Sequence, residues 1–189
     1  MLLDAAAELI AEQGFAAVSH RAVAERAGLP LAATTYYFSS LEELLKFALH
    51  QLADQWLQHA HAALAQLPPT LPTPRKAAAA VLTVAGVTTG GAASGDVLAM
   101  YDRYLEAGRH PQLRPIVVAY NAALETLLGQ VLERAGITSR VGTARLVLAQ
   151  VDGAALRALA EGTAVRRAAL TATAALIELL AVNAPCGSG

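Results

Sequence analysis

The sequence predicts an all-α fold, and three observations carry that reading. Apolar residues recur at helical spacing in every segment, and no stretch alternates apolar and polar residues as a half-buried strand would. One stripe, Leu41, Leu44, Leu45, Ala48, Leu49, Leu52, Trp56, Ala60, Ala63, Leu64 and Leu67, is sustained long enough to specify a single rod. Gly and Pro fall between the stripes, where helices end and turns begin.

Taken in order, Leu2, Leu3, Ala6, Leu9 and Ile10 make a first helix that Gly14 ends, with Phe15 and Val18 folding back as core plugs. Ser19 is suited to cap a second helix from His20 to Ala27, because its hydroxyl can accept an orphan backbone N–H. Val23, Ala24 and Ala27 give that helix a narrow apolar stripe. Gly28 suits the left-handed residue after its last turn, and Pro30 fits the first turn of the next helix. Helix, short turn with Gly, helix is the geometry of a helix-turn-helix reader of DNA.

The third helix, Leu31 to Phe38, carries the side chains such a reader would use. Ala32 and Ala33 are small enough to approach base edges, while Thr34 and Thr35 can donate to phosphates or touch thymine methyls. Tyr36 and Tyr37 add phenolic hydroxyls for phosphate contact, and Phe38 is the plug that seats the helix. With Ser19, His20, Arg21 and Leu31 these are the candidate DNA contacts. Ser39 or Ser40 caps the long helix, with Glu42 and Glu43 in its favourable first turn. A rod of about 25 residues spans roughly 37 Å at 1.5 Å per residue, a lever by which a distant event can move the reading helix.

The run Ser19, Val23-Ala24, Ala27-Gly28-Leu29, Tyr36-Tyr37-Phe38, Ser40 and Glu43-Leu44 resembles the signature of the TetR-type (tetracycline-repressor-like) transcriptional regulators. DAAAELIAEQGFAAVS before it resembles that family's first helix and its Gly-aromatic ending. The likeness covers about the first quarter of the chain. Departures from the pattern are Pro30 in place of a Ser cap and Leu41 in place of a Lys at the mouth of the fourth helix. Residues 1–50 hold Arg21, Arg26 and Lys46 against Asp4, Glu8, Glu12, Glu25, Glu42 and Glu43, three positive and six negative, hence −3. Phosphate contacts supply most non-specific affinity for DNA, so an acidic head is a weak electrostatic binder. The chain also starts almost inside the first helix, without the basic N-terminal arm such regulators carry.

Beyond the rod, PPTLPTP (Pro68 to Pro74) is a stiff connector. Helices are expected over Arg75–Val87, Asp96–Ala107, Leu113–Ala135, Ser139–Glu161 and Val165–Val182, with a flexible Gly-rich turn in TTGGAASG between the first two. The expected division is a helix-turn-helix DNA-binding domain over 1–47, a helical ligand-binding and dimerisation domain over 48–183, and a disordered tail over 184–189.

Hydrophobic residues make up 55% of the 189, against 15% charged, which leaves apolar helix faces beyond the needs of one core and favours a homodimer. The last two helices are the candidates for that interface, through Leu148, Val151, Ala155 and Leu159 in one and Leu170, Ala174 and Ile177 in the other. Paired across subunits they would form a four-helix bundle. The single Cys186 excludes a disulfide framework and fits a cytoplasmic setting, and acids stand where a secretory signal needs a basic region. Apolar runs are cut by charge or Gly before the length of a membrane span.

Tyr101, Arg103, Tyr104 and Tyr120, with Met100 and Trp56, concentrate most of the aromatic polarity outside the head. An apolar pocket with a few hydroxyls is the form of a small-molecule inducer site. Trp56, Met100, Tyr101, Tyr104, Tyr120 and Leu124 are the candidate ligand residues. His50, Asp54, His59 and His61 lie along the rod without metal-ligand spacing, so neither a metal nor a cofactor is expected. No nucleophile elbow, zinc motif or phosphate loop points to catalysis. The resemblance implies a homodimeric repressor released from palindromic double-stranded DNA by a small apolar molecule. The rival reading is a helical interaction protein that keeps the helix-turn-helix as a scaffold without binding DNA.

Overall fold

The computed structural model describes residues 1–87, 94–138 and 141–182. Part of the expected Gly-rich turn (88–93), the expected start of the eighth helix (139–140) and the tail with Cys186 lie outside the described residues. Among the described residues there are nine α-helices and no strand. They are α1 (Leu2–Gln13), α2 (His20–Ala27), α3 (Leu31–Tyr37), α4 (Leu41–Ala65), α5 (Pro74–Val84), α6 (Ser94–Arg109), α7 (Arg114–Arg134), α8 (Thr143–Ala160) and α9 (Val165–Val182). Short 3-10 turns stand at Phe15–Ala17 and Pro111–Leu113.

Local chemistry explains where the helices begin. Ser19 Oγ accepts from Ala22 N–H at 3.1 Å, and Thr73 Oγ1 from Lys76 N–H at 3.2 Å, with Pro74 in the first turn where its missing N–H costs nothing. At the mouth of α4 the caps are reciprocal. Ser40 Oγ accepts from Glu43 N–H at 3.1 Å, while Glu43 Oε2 accepts from the backbone N–H and the hydroxyl of Ser39, each at 2.6 Å. α2 ends at Gly28, which is left-handed (φ 66°, ψ 30°), and Leu29 N–H bonds back to Ala24 O at 2.9 Å.

The chain forms two compact units, with boundaries inside α4 and α7. In the first, Met1–Trp56 with Gly91–Tyr120, α1 packs on α2 and α6 and α2 packs on α3. Ile10, Val23, Leu44 and Leu49 are fully buried there, and Ala6 and Ala48 let the helices approach closely. Arg26 ties the surface of α2 to α1 by bonding Glu12 at 2.8 Å and Glu8 at 3.4 Å. Gln51 Nε2 donates to Asp4 Oδ1 at 2.7 Å, linking α4 to α1.

In the second unit, Leu57–Gly90 with Asn121–Gly189, α9 packs on both α8 and α5. Arg134 closes the Pro-rich connector. Its Nη1 donates to Leu64 O (3.0 Å) and Leu67 O (2.9 Å), and its carbonyl accepts from Leu71 N–H at 2.8 Å. Such a cation beside the last carbonyls of α4 also suits the helix dipole. The span Pro111–Arg134 is long and apolar enough to cross a membrane, contrary to the expectation that charge and Gly interrupt every such run. Leu124, Leu127, Leu128, Val131 and Leu132 in this span are buried inside the chain, while Val118 is exposed.

The structure corrects the expected dimer residues. Leu148, Val151, Ala155 and Ile177 are buried in the chain's own core, at 5, 0, 0 and 1% exposure. An arc of apolar residues wide enough for two interfaces has its inner half here. Leu159, Leu170 and Ala174 are half-buried, and the exposed large apolar side chains on the two helices are Leu146, Leu156, Leu179 and Val182.

Candidate functional site

The head presents α3 to solvent along one side. Leu31, Ala32, Thr35, Tyr36 and Tyr37 are exposed and Ala33 is half-buried, because Phe38 and Thr34 turn inward. Tyr36 and Tyr37 are 83 and 68% exposed, an unusual state for large aromatics on a helix with only its own core to serve. Their rings meet edge to face with centroids 5.2 Å apart. Thr35 Oγ1 donates to Ala32 O at 3.2 Å and can exchange that bond for another acceptor.

One candidate contact is overturned. Thr34 is wholly buried, and its hydroxyl donates to Leu31 O at 2.8 Å, so it fixes the seat of α3 rather than facing a groove. At the start of α2, Ser19 and Arg21 are exposed and His20 is half-buried, with its Nδ1 buried and without a hydrogen-bond partner among the described residues.

The charges of the head are largely paired. Arg21 Nε bonds Glu25 at 2.8 Å, which raises its pKa, and the bond to Glu12 raises that of Arg26. Glu43 is held below the ordinary glutamate value, first by the Ser39 hydroxyl and then by the Ser39 backbone N–H, with the charge of Lys46 adding to both. Lys46 is exposed and joins no ion pair among the described residues.

Within the same unit, α4, α6 and the first turns of α7 assemble an aromatic box around Arg103. The guanidinium carbon lies 4.3 Å from the ring centroid of Tyr104, 4.8 Å from that of Tyr120 and 5.5 Å from that of Trp56. Trp56 and Tyr120 meet edge to face at 5.7 Å. Arg103 donates through Nη1 to Met100 O and through Nη2 to Tyr104 Oη at 3.1 Å, and its side chain is 2% exposed. Trp56 and Tyr104 are half-buried, whereas Tyr120 is buried.

Four of the candidate ligand residues are thus brought together, Trp56, Tyr104 and Tyr120 by their rings and Met100 by its carbonyl. Tyr101 is buried on the same helix, whereas Leu124 is buried in the second unit. His50 Nδ1 stands 3.2 Å from Asp54 Oδ2 on an exposed face, and no group of three metal-binding side chains occurs among the described residues.

Both parts of the sequence match known families. Residues 2–47 match the profile of bacterial regulatory proteins of the tetR family, and residues 72–181 match the tetracyclin repressor-like C-terminal domain. The chain is a member of the TetR family.

Solved structures of other regulators agree with this. A transcriptional regulator from Rhodococcus sp. Rha1 is 28% identical over 98% of this chain and 96% of its own, with a TM-score of 0.75. A TetR family member from Streptomyces coelicolor A3 is 30% identical over 93 and 95% of the two chains, at 0.69. The multidrug binding protein EbrR, solved with proflavin, is 28% identical over 95 and 96%, at 0.70. No curated protein matches the sequence.

For this TetR-family chain, sequence reasoning named Arg103 in the aromatic cluster without counting it among the binding residues. An Arg between two Tyr in a segment of apolar period was the available signal. The Arg26 bonds to Glu8 and Glu12 had no such signal, because they depend on how α1 and α2 cross.

Proposed function

We propose that this chain is a ligand-responsive DNA-binding repressor, acting as a cytoplasmic homodimer on a palindromic operator and released by a small, largely apolar molecule. One observation carries the reading. A helix of the head, seated by Phe38 and Thr34, holds Leu31, Ala32, Thr35, Tyr36 and Tyr37 out to solvent beside an exposed Arg21. Two such helices related by a dyad suit successive major grooves. Residues 1–47 would serve as the reading head, and 48–183 would supply dimerisation and most of the effector site.

The effector reading rests on the box of Trp56, Tyr104 and Tyr120, and on the ligands of a relative, since EbrR has been solved with proflavin and with ethidium. An effector acts by preferring the state of the protein that binds DNA poorly; differential affinity is all the mechanism requires. Nothing in it calls for a catalytic step. The test is selection of random duplex DNA, repeated for a Thr35→Ala, Tyr37→Ala double variant. A palindrome enriched by the parent and lost in the variant supports the reading; no enrichment by either sinks it.

One observation favours a second reading, in which the head is a scaffold that no longer binds DNA. Arg21 and Arg26 are both held by glutamates, in a head whose formal charge is −3 over residues 1–50. The salt slope separates the two, because each phosphate neutralised steepens the fall of affinity with salt.

A further inference from the structure

A buried guanidinium needs either a counter-charge or a full set of acceptors, and Arg103 has neither among the described residues. No described carboxylate lies within ion-pair distance. Of the two acids nearest to it on α6, Glu106 bonds Arg109 at 2.6 Å and His110 at 3.4 Å, and Asp102 turns its Oδ2 toward Gly14 at the end of α1 and makes no ion pair with Arg103. Its Nε–H is buried and meets no acceptor among the described residues, while Met100 O and Tyr104 Oη take one donor each. Three aromatic faces attract the cation without neutralising it.

That arrangement discriminates by charge. Proflavin and ethidium, the dyes found with EbrR, are aromatic cations. Here the ring faces that would stack on such a cation are already occupied by the protein's own, and a second positive charge beside a buried guanidinium is repelled. An anion gains on both counts, since it supplies the missing charge and can accept from the unused donors of Arg103. Resting on the reading of this box as the effector site, we propose that the effector is an apolar or aromatic carboxylate. Its acid group pairs with Arg103 and its body lies along Trp56 and Tyr104, the half-buried side of the box.

Trp56 is the sole tryptophan of the chain, so its emission reports on the box directly. The experiment titrates the full-length protein with a panel of aryl- and alkyl-carboxylates, each paired with its neutral amide, and with proflavin and ethidium. Calorimetry runs beside the Trp56 signal. The expected result is that acids bind at least about tenfold more tightly than their amides, the worth of a charge-assisted pair. Arg103→Gln should abolish that preference and raise affinity for the dyes. Arg103→Lys, which keeps the charge, should retain part of the preference and guards against misfolding of the Gln variant.

Saturable binding of amides as tight as that of acids, or of dyes tighter than acids, overturns the carboxylate proposal while leaving the effector site standing. Silence of Trp56 and of the calorimeter across the whole panel, in parent and variants alike, overturns the box as an effector site and the carboxylate with it.

Discussion

The Asp102 carboxylate on α6 stands against Gly14 at the end of α1, with Oδ2 only 3.1 Å from where a Cβ on Gly14 would lie. Gly14 has φ 80° and ψ 172°, a region open essentially to glycine alone. Gly14→Ala should therefore cost about 2–3 kcal/mol, combining backbone strain with displacement of Asp102. In an Asp102→Ala background only the strain remains, so the same substitution should cost less there. Thermal melts of the four proteins measure the coupling, and equal costs in both backgrounds would show that the contact is not felt.

Gly28 gives the control. It is also left-handed, at φ 66°, but a Cβ there meets nothing within 4 Å. Gly28→Ala should cost about 1 kcal/mol from backbone preference alone, and its cost should be the same with or without Asp102.

Within α3, burial separates two threonines that look alike in sequence. Tyr37→Ala and Thr35→Ala should each weaken binding to a selected operator by about tenfold with little change in melting temperature. Thr34→Val should do the reverse, lowering stability by about 1 kcal/mol through the lost bond to Leu31 O while leaving sequence preference intact. Anisotropy titrations with specific and scrambled duplexes decide it.

Leu156 and Leu179 are 44 and 63% exposed on α8 and α9, whereas Ile177 is 1% exposed. Replacing both leucines by Glu should leave a folded monomer in sedimentation and abolish binding to a palindrome. Ile177→Ala should instead cost about 2–5 kcal/mol of folding stability. A persistent dimer of the Leu156→Glu, Leu179→Glu protein would place the interface elsewhere.

Glu43 provides a test against pH. Its folded pKa lies below the ordinary 4.5, because the ionised carboxylate accepts from the Ser39 hydroxyl and N–H. A depressed pKa contributes stability above the unfolded value, and the contribution fades as pH falls through the folded one. The difference in melting temperature between the parent and Glu43→Gln should be constant above about pH 5.5 and shrink in more acid solution. A difference that grows on acidification would refute this role.

Much of the head was legible because its signals are local. Ser19, Gly28 and Ser40 act on backbone groups within a turn of themselves, so helix limits followed from spacing, and α2 begins and ends where the sequence placed it. Which way a seven-residue helix faces is not local. Thr34 and Thr35 are adjacent and chemically identical, and only packing on the core decided that Thr34 is the buried one. The same limit applies to α8 and α9, where an arc rich in Ala and Leu does not distinguish the half that meets its own unit from the half left exposed. The aromatic cluster was visible as composition, but that the rings close on Arg103 depends on α4, α6 and α7 converging, for which no short-range signal exists.

Asp102 and Arg103 are consecutive on α6, one set against the end of α1 and the other inside the aromatic box. On the effector reading proposed above, a shift of the α6 backbone that re-seats Arg103 for a new effector would carry Asp102 with it against Gly14, so that sensing and the seat of the head would change together. Lineages that have switched effectors should carry a second, compensating substitution near Gly14, and the two should appear together.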